Sequence, residues 1–373
     1  MSPDTLAALL RGRSVTWDRV GCDPIALLGA CRDEEVSGLI YYHLRDTPQF
    51  ASWPPVVRTA LGDASRAAVA RELLVQQELR RVLDALAARA VHPVLFKGTA
   101  LAYTLYPHPS LRSRSDTDLL IRQTDTNTVQ EALSALRYTP SLLCDGELLF
   151  RQFEWARDDE FGVSHALDFH WAISTQSAFA GVLTYDEISA RAVAAPALGA
   201  SARVPATVDA LLLALIHPVM HHQNQQRLLW AYDVHLLALA LDLRGFQELV
   251  SQATEKRIAA VCAHGLRVAQ DWFGTAVPRG ILDQLAAAPL SEQPTAAYLT
   301  PERSWASETA ANLRGLPRWR DRLRLLKEIA LPSPAYMLQA YGVGGSGLGK
   351  ALLPALYLHR GVRGVWRVMS RRK

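Results

Sequence analysis

Asp116 and Asp118, in the run Ser115-Asp116-Thr117-Asp118-Leu119-Leu120-Ile121, are the residues of this sequence best placed for chemistry. If residues 116–121 form a strand, side chains alternate between its faces, and the two carboxylates share one side about 6–7 Å apart. Two anions held that way are stable together only with a cation between them. Mg2+, or Mn2+ in its place, suits the position because it takes oxygen ligands and completes its shell with water and substrate phosphates. An isolated Asp-x-Asp is also met at solvated strand ends and turns. A second acidic strand adds weight. In Leu167-Asp168-Phe169-His170-Trp171, a period of two puts Asp168 and His170 on one face and the three apolar residues on the other. Asp168 is then a candidate third metal ligand and a general base toward an acceptor hydroxyl. The plainer alternative is that Asp168 and His170 form a buried hydrogen-bonded pair.

Positive charge stands beside these acids. Lys97-Gly98-Thr99 follows the apolar run Val94-Leu95-Phe96 and opens a helical pattern, so unpaired N–H groups and the positive end of a helix dipole face outward. Glycine lets a phosphate approach the backbone, while Lys97, Arg112 and Arg114 bring cations. Acids and bases interleaved like this suit a metal–triphosphate complex, in which carboxylates hold the metal and the bases hold phosphate oxygens.

The elements that must position these groups follow from periodicity. Apolar spacing predicts helices from Asp23 to about Ala90, interrupted at Pro54-Pro55, with Leu73, Val75, Leu79, Val82, Leu83 and Leu86 inward and Arg71, Glu72, Gln76, Glu78 and Arg80 largely outward. A helix is predicted at about 126–136, and an antiparallel hairpin from 150–157 and 163–173 around the turn Asp158-Asp159-Glu160-Phe161-Gly162. Helical periodicity returns from Pro205. The expected plan is α+β: a small mixed-sheet core at 93–200 between an N-terminal helical region, 1–92, and a C-terminal helical region with a basic tail, 201–373.

With those motifs in place, the sequence resembles the uncharacterised nucleotidyltransferases of the DNA polymerase β-like superfamily, whose members look like "LKGxALxxxLYPxPxxRxxxDxDLLV" followed by "DLHW". The matching positions are Phe96-Lys97-Gly98-Thr99-Ala100-Leu101, Leu105-Tyr106-Pro107, Arg112, Asp116-Thr117-Asp118-Leu119-Leu120-Ile121 and Asp168-Phe169-His170-Trp171. The resemblance covers most of the chain and implies metal-dependent transfer of a nucleoside monophosphate group from an NTP, releasing pyrophosphate. It implies Asp116, Asp118 and Asp168 as catalytic metal ligands, Lys97, Gly98, Thr99, Arg112 and Ser115 at the triphosphate, and His170, His217 and His221 as further nucleotide contacts. Gly98-Thr99 stands where the wider superfamily has Gly-Ser, with sixteen residues between Thr99 and Asp116, a longer spacing than usual. The expected acceptor is a small molecule or peptide of a biosynthetic pathway. The Lys-Gly-Thr-Ala-Leu and Arg-Ser-Asp-x-Asp patterns are also similar to toxin-type nucleotidyltransferases that modify tRNA, so a tRNA end is the alternative acceptor. A catalytically inactive module that binds nucleotide or a partner is the alternative outside the enzymes.

Within 216–234, His217, His221, His222, Arg227 and Asp233 are similar to the family's "HxxxH…RLxWxxD" helix. Three readings stay open: a polar lid on nucleotide or acceptor, a structural helix pair, or metal binding by His217 and His221 one turn apart. The run Gly344-Gly345-Ser346-Gly347-Leu348-Gly349-Lys350 has P-loop spacing. It lacks the following Ser or Thr, no acid lies downstream, and Pro354 is expected to spoil the helix that should come next, so it reads as a linker.

The net charge of +4 conceals an asymmetry. Residues 301–373 hold fourteen Lys/Arg against four acids, a net +10, so the preceding residues carry −6. Arg314, Arg318, Arg320, Arg322, Arg324 and Lys327 cluster around Trp319. Arg360, Arg363, Arg367 and Arg371 repeat at helical spacing opposite Leu358, Val362, Val365, Trp366 and Met369. RNA, an anionic membrane surface or an acidic acceptor would fit such a tail; the alternative, the leading expectation, is that its apolar side packs on the acidic body. Cys22, Cys31, Cys144 and Cys262 show neither disulfide nor zinc spacing. No apolar run reaches the roughly 20 residues of a bilayer span. A reduced, cytoplasmic setting without integral membrane association is expected, and nothing in the sequence specifies an oligomeric state.

Overall fold

A computed structural model of the chain describes residues 3–12, 15–21, 23–142, 148–300, 303–343 and 351–370. Four short helices come first: α1 (Pro3–Leu10), α2 (Trp17–Val20), α3 (Pro24–Asp33) and α4 (Ser37–Leu44). Pro54-Pro55 begins the next element instead of merely breaking one. Pro55 sits in the first turn of α5 (Pro55–Ala87), where a missing N–H costs nothing because that donor has no partner anyway.

α5 and α7 (Thr126–Ala135) cover one face of the sheet. Leu79, Val82, Leu83 and Leu86 from α5 join Val129, Ala132 and Leu133 from α7 in a single apolar cluster. Two details of α5 depart from the periodicity. Leu73 is 62% exposed, whereas Glu72 and Glu78, assigned to the polar face, are buried. Distant partners bring the acids in: Glu72 accepts from Arg114 at 2.7 Å and from the Tyr103 hydroxyl. Glu78 accepts from Arg81, Arg157 and Tyr138. A buried carboxylate is tolerated when paired in this way.

The seven-stranded mixed sheet has the order β3-β4-β5-β2-β1-β7-β6. Its strands are β1 (Val94–Phe96), β2 (Thr117–Leu120), β3 (Thr139–Leu142), β4 (Gln152–Asp158), β5 (Ser164–His170), β6 (Val193–Ala194) and β7 (Arg203–Val204). β4 and β5 form the expected antiparallel hairpin, β2 runs parallel to β5, and β1 runs antiparallel to β2. Register decides the site. Asp118 pairs with Phe96 on one side and Asp168 on the other, and Leu120 pairs with His170. Strand alternation then sends Leu95, Leu119, Phe153, Leu167 and Phe169 to the α5/α7 cluster and Asp118, Asp168 and His170 to the opposite face. β2 begins at Thr117, so Asp116 stands just before the strand and not within it.

The opposite face is roofed by helices. α6 (Lys97–Thr104) leaves β1 directly, and α8 (Tyr185–Arg191) carries a Thr184/Glu187 capping box. α9 (Thr207–His221), α10 (Leu228–Leu239), α11 (Leu243–Glu255), α12 (Ala259–Phe273) and α13 (Ile281–Ala287) share a large core with the N-terminal helices. The fold is α+β, a mixed sheet between helical regions.

The C-terminal helices are α14 (Trp305–Gly315), α15 (Trp319–Ala330), α16 (Pro334–Ala340) and α17 (Leu353–Ser370). Pro354 does not prevent a helix. It lies in the first turn of α17, where proline is accommodated. The glycine-rich run 344–350 lies outside the described residues, as do Cys22, Cys144 and Arg371. The expected packing of the tail's apolar side on the body is not what is found where side chains are described: Leu358 is 71% and Val362 61% exposed. α17 docks on α16 by its other side instead, with the Tyr357 hydroxyl donating to Pro332 O and Arg360 lying over the Tyr336 ring.

Candidate active site

A cavity of about 400 Å³ opens between the sheet face, α6, the loop 105–116, and helices α9 and α10. Of the residues singled out in sequence, Lys97, Gly98, Arg112, Arg114, Ser115, Asp116, Asp118, Asp168, His217, His221, His222, Arg227 and Asp233 line it. His170 lies beneath the carboxylates, 1% exposed. The Thr99 side chain is turned away from the cavity, 1% exposed and 3.5 Å from the Thr117 hydroxyl, which leaves only its backbone for a triphosphate.

The floor is a charge cluster. Asp118 Oδ1 accepts from Lys97 Nζ at 2.7 Å and from His170 Nε2 at 2.9 Å. His170 Nε2 also lies 3.3 Å from Asp168 Oδ2, which accepts from Gln152 Nε2 at 2.8 Å. Burial alone would raise the Asp118 carboxyl, but Lys97 and His170 outweigh it and hold the group well below the usual carboxylate range. For His170, burial and Lys97 act downward, yet the two carboxylates prevail and raise it. Lys97 has a left-handed backbone, φ 51°, at the strand-to-helix switch. That conformation costs a non-glycine residue about 1–2 kcal/mol, and such strain gathers where function fixes geometry.

Asp116 faces the open cavity. Desolvation first, then the like charge of Asp118, lifts its carboxyl to about 6, against the pull of Lys97. It is the group that most needs a further cation.

Asp168 Oδ1 is buried with no hydrogen-bond partner. An anionic oxygen in that condition is costly unless something positive reaches it. One ligand atom from each of Asp118, Asp168 and His170 falls within 4.8 Å of the others, a spacing that fits one divalent cation. His170 Nε2 lies against both carboxylates, so its proton orients them, and the two carboxylates rather than the imidazole are left as ligands for a cation. The donor set therefore fits a metal, with Asp116 adjoining it and not among the three most closely spaced groups.

Arg112 is committed elsewhere. Its Nε and Nη2 reach both carboxylate oxygens of Asp233 at 2.7–3.0 Å, Nη1 donates to Ser113 O, and the Tyr106 hydroxyl donates to the same Asp233. The pair is buried. Arg112 thus ties the loop 105–116 to α10 and shapes the wall more than it offers charge to a ligand. Arg114 is likewise held by Glu72.

α9 and α10 supply the far wall. Burial first, then the Lys97 ammonium, lowers both histidines, His221 to about 3 and His217 well below its usual value. They are neutral at physiological pH. His217 Nδ1 is buried without a partner, and His221 Nε2 sits 3.3 Å from Ile173 O. The His222 ring lies 4.4 Å from Trp230, with the Arg227 guanidinium 5.2 Å from the same ring. Glu35, Gln152 and Trp230 also line the cavity and were not picked from sequence as site residues. Trp230 stands in the tryptophan position of the family's helix pattern and Gln152 on the alternating face of β4, so both carried a signal; Glu35, in the turn before α4, carried none.

A family described as uncharacterised nucleotidyltransferase matches residues 22–274, which span this whole cavity. The chain belongs to that family. No curated protein matches the sequence. The match includes the carboxylate strands, the Lys97 turn and both wall helices of the chain, and ends before the C-terminal helices α14 to α17 begin.

Proposed function

We propose that the chain is a divalent-metal-dependent nucleotidyltransferase that moves a nucleoside monophosphate group from an NTP to a small-molecule or peptide acceptor. The observation that carries this reading is the register of β2 on β5, which sets Asp118 beside Asp168 on the cavity floor, where Asp168 Oδ1 is buried without a hydrogen-bond partner.

Asp118 and Asp168 would hold the metal, Mg2+ or Mn2+, with Asp116 as the neighbouring carboxylate. The ion's contribution is charge neutralisation on the triphosphate and polarisation of the α-phosphate. Lys97, which lies against Asp118 at the cavity floor, would supply positive charge to phosphate oxygens, as would the N–H groups of the first turn of α6. His170 holds the two carboxylates in place through its Nε2 proton. The acceptor hydroxyl or amine forms a bond to the α-phosphorus as the bond to the β-phosphate oxygen breaks. Pyrophosphate leaves, and the acceptor's proton passes to Asp168. The neutral histidines of α9 and the Trp230 wall face the remaining volume, where the nucleoside or acceptor would rest.

The test is NTP turnover with Mg2+ or Mn2+, each labelled NTP, and panels of small hydroxyl and amine acceptors, peptides and tRNA. Pyrophosphate release that falls at least about 10²-fold in Asp116→Ala plus Asp118→Ala supports the reading. Turnover unchanged in that double variant sinks it, and label recovered on tRNA alone reassigns the acceptor.

A further inference from the structure

The C-terminal helices present a surface that the cavity does not explain. On α15, Trp319, Leu323, Leu326 and Ala330 recur at four- and three-residue spacing, which is one helix face. That face is turned to solvent: Trp319 is 66%, Leu323 55% and Leu326 44% exposed. Leu331, at the end of the helix, is 58% exposed. The opposite side is the one that docks, through buried Leu325 and through Glu328, which accepts the backbone N–H groups of Leu148 and Leu149 at 3.0 Å.

The charges are sorted in the same way. Arg320 and Lys327 flank the apolar row on one side and Arg322 on the other, all exposed, while the two acids of the helix, Asp321 and Glu328, lie on the docked side and are less exposed. α17 repeats the arrangement in outline, with Leu358 and Val362 outward in a segment that has bases and no acid.

We infer that α15, with α17 further along the chain, is a docking surface for an anionic lipid bilayer. A Trp and Leu row rimmed by Arg and Lys, with acids turned away, matches what an interfacial helix needs: apolar side chains for the acyl boundary and cations for the headgroups. Nucleic acid would use the cations and leave the aliphatic row without a partner. A second copy would bring the same positive rim against this one. Docking is peripheral, since no helix among the described residues is long and apolar enough to cross a membrane.

The full chain is sedimented with vesicles of phosphatidylcholine and with vesicles that also contain phosphatidylglycerol. The expected result is binding to the second kind, weakened by salt, with binding to the first much weaker. Leu323→Asp plus Leu326→Asp, and separately Arg320→Glu plus Lys327→Glu, each lower binding by about tenfold or more. All four side chains are exposed, so folding is retained, as circular dichroism checks. Should either variant misfold, brominated lipid in the wild-type assay reads the contact directly, through quenching that Trp319→Phe diminishes. The proposal is overturned if neither vesicle binds the chain. It is overturned equally if the leucine variant binds vesicles like wild type, or if Leu323 and Leu326 prove to be buried in a dimer by ultracentrifugation. Salt-sensitive RNA binding without vesicle binding reassigns the surface.

Discussion

The cavity and the C-terminal helices invert one another. Around the cavity, charge is inside and, Asp116 and Asp168 Oδ1 apart, answered: Asp118 by Lys97 and His170, Asp233 by Arg112, Glu72 by Arg114. On α15 and α17, apolar side chains are outside and unanswered, from Trp319 to Val362. Both arrangements cost free energy in isolation, and the magnitudes differ. Removing one member of a buried ion pair costs about 3–5 kcal/mol, because the survivor is a desolvated charge. An exposed leucine changed to a polar residue alters stability by less than about 0.5 kcal/mol. What holds the cavity together is therefore strongly coupled to folding, whereas the outer surface can vary with little effect on it.

The sharpest way to break this contrast is Asp233→Ala. It strands the Arg112 guanidinium, and urea denaturation is expected to register a loss of about 3–5 kcal/mol. Arg112→Leu combined with Asp233→Leu restores much of that loss, because no charge is left unpaired. A loss below about 1 kcal/mol from Asp233→Ala would mean that the pair behaves like a surface contact.

A smaller effect follows from Asp116. Its carboxyl is raised to about 6, so between its ordinary value and about 6 the folded metal-free protein holds a proton that the unfolded chain has released. This group's contribution to stability accordingly declines as pH rises through that window. A divalent cation competes with that proton, so metal affinity should climb with pH up to about 6 and level off above it. Calorimetric titration with Mn2+ across this range checks the slope, and Asp116→Asn should flatten it. An affinity independent of pH would place Asp116 outside the cation's reach.

The smallest expected change tests the outer surface. Leu323→Ser plus Leu326→Ser should leave the free energy of unfolding in solution within about 0.5 kcal/mol per substitution. A larger loss would mean that these side chains already have a partner within the fold.

Much of the site was legible because strands enforce a period of two. Asp168 and His170 against Leu167 and Phe169, and Asp118 against Leu119, could be read as two faces of a sheet without knowing its order. The parallel pairing of β2 with β5 could not be read that way, since the strands are separated by α7 and a hairpin. Long-range pairing also hid the burial of Glu72 and Glu78. A carboxylate on a helix reads as solvent-facing until its partner is known, and Arg114 and Arg157 lie 42 and 79 residues away. Arg112 shows the same limit: beside two aspartates it reads as a phosphate ligand, and its partner Asp233, 121 residues further on, is not legible from spacing. In the tail, helical spacing sets Leu358 and Val362 apart from Arg360 and Arg363, but periodicity does not say which side meets the body.

The Arg112–Asp233 bridge also has a meaning in time. A chain made from its N-terminus has Lys97, Asp118 and Asp168 in hand well before α9 and α10 exist. Until Asp233 emerges, the loop that borders the carboxylates carries a guanidinium without its ion-pair partner, and the cavity has a floor without a far wall. In chain order, the acids are laid down first, and the enclosure that would let them act comes after them.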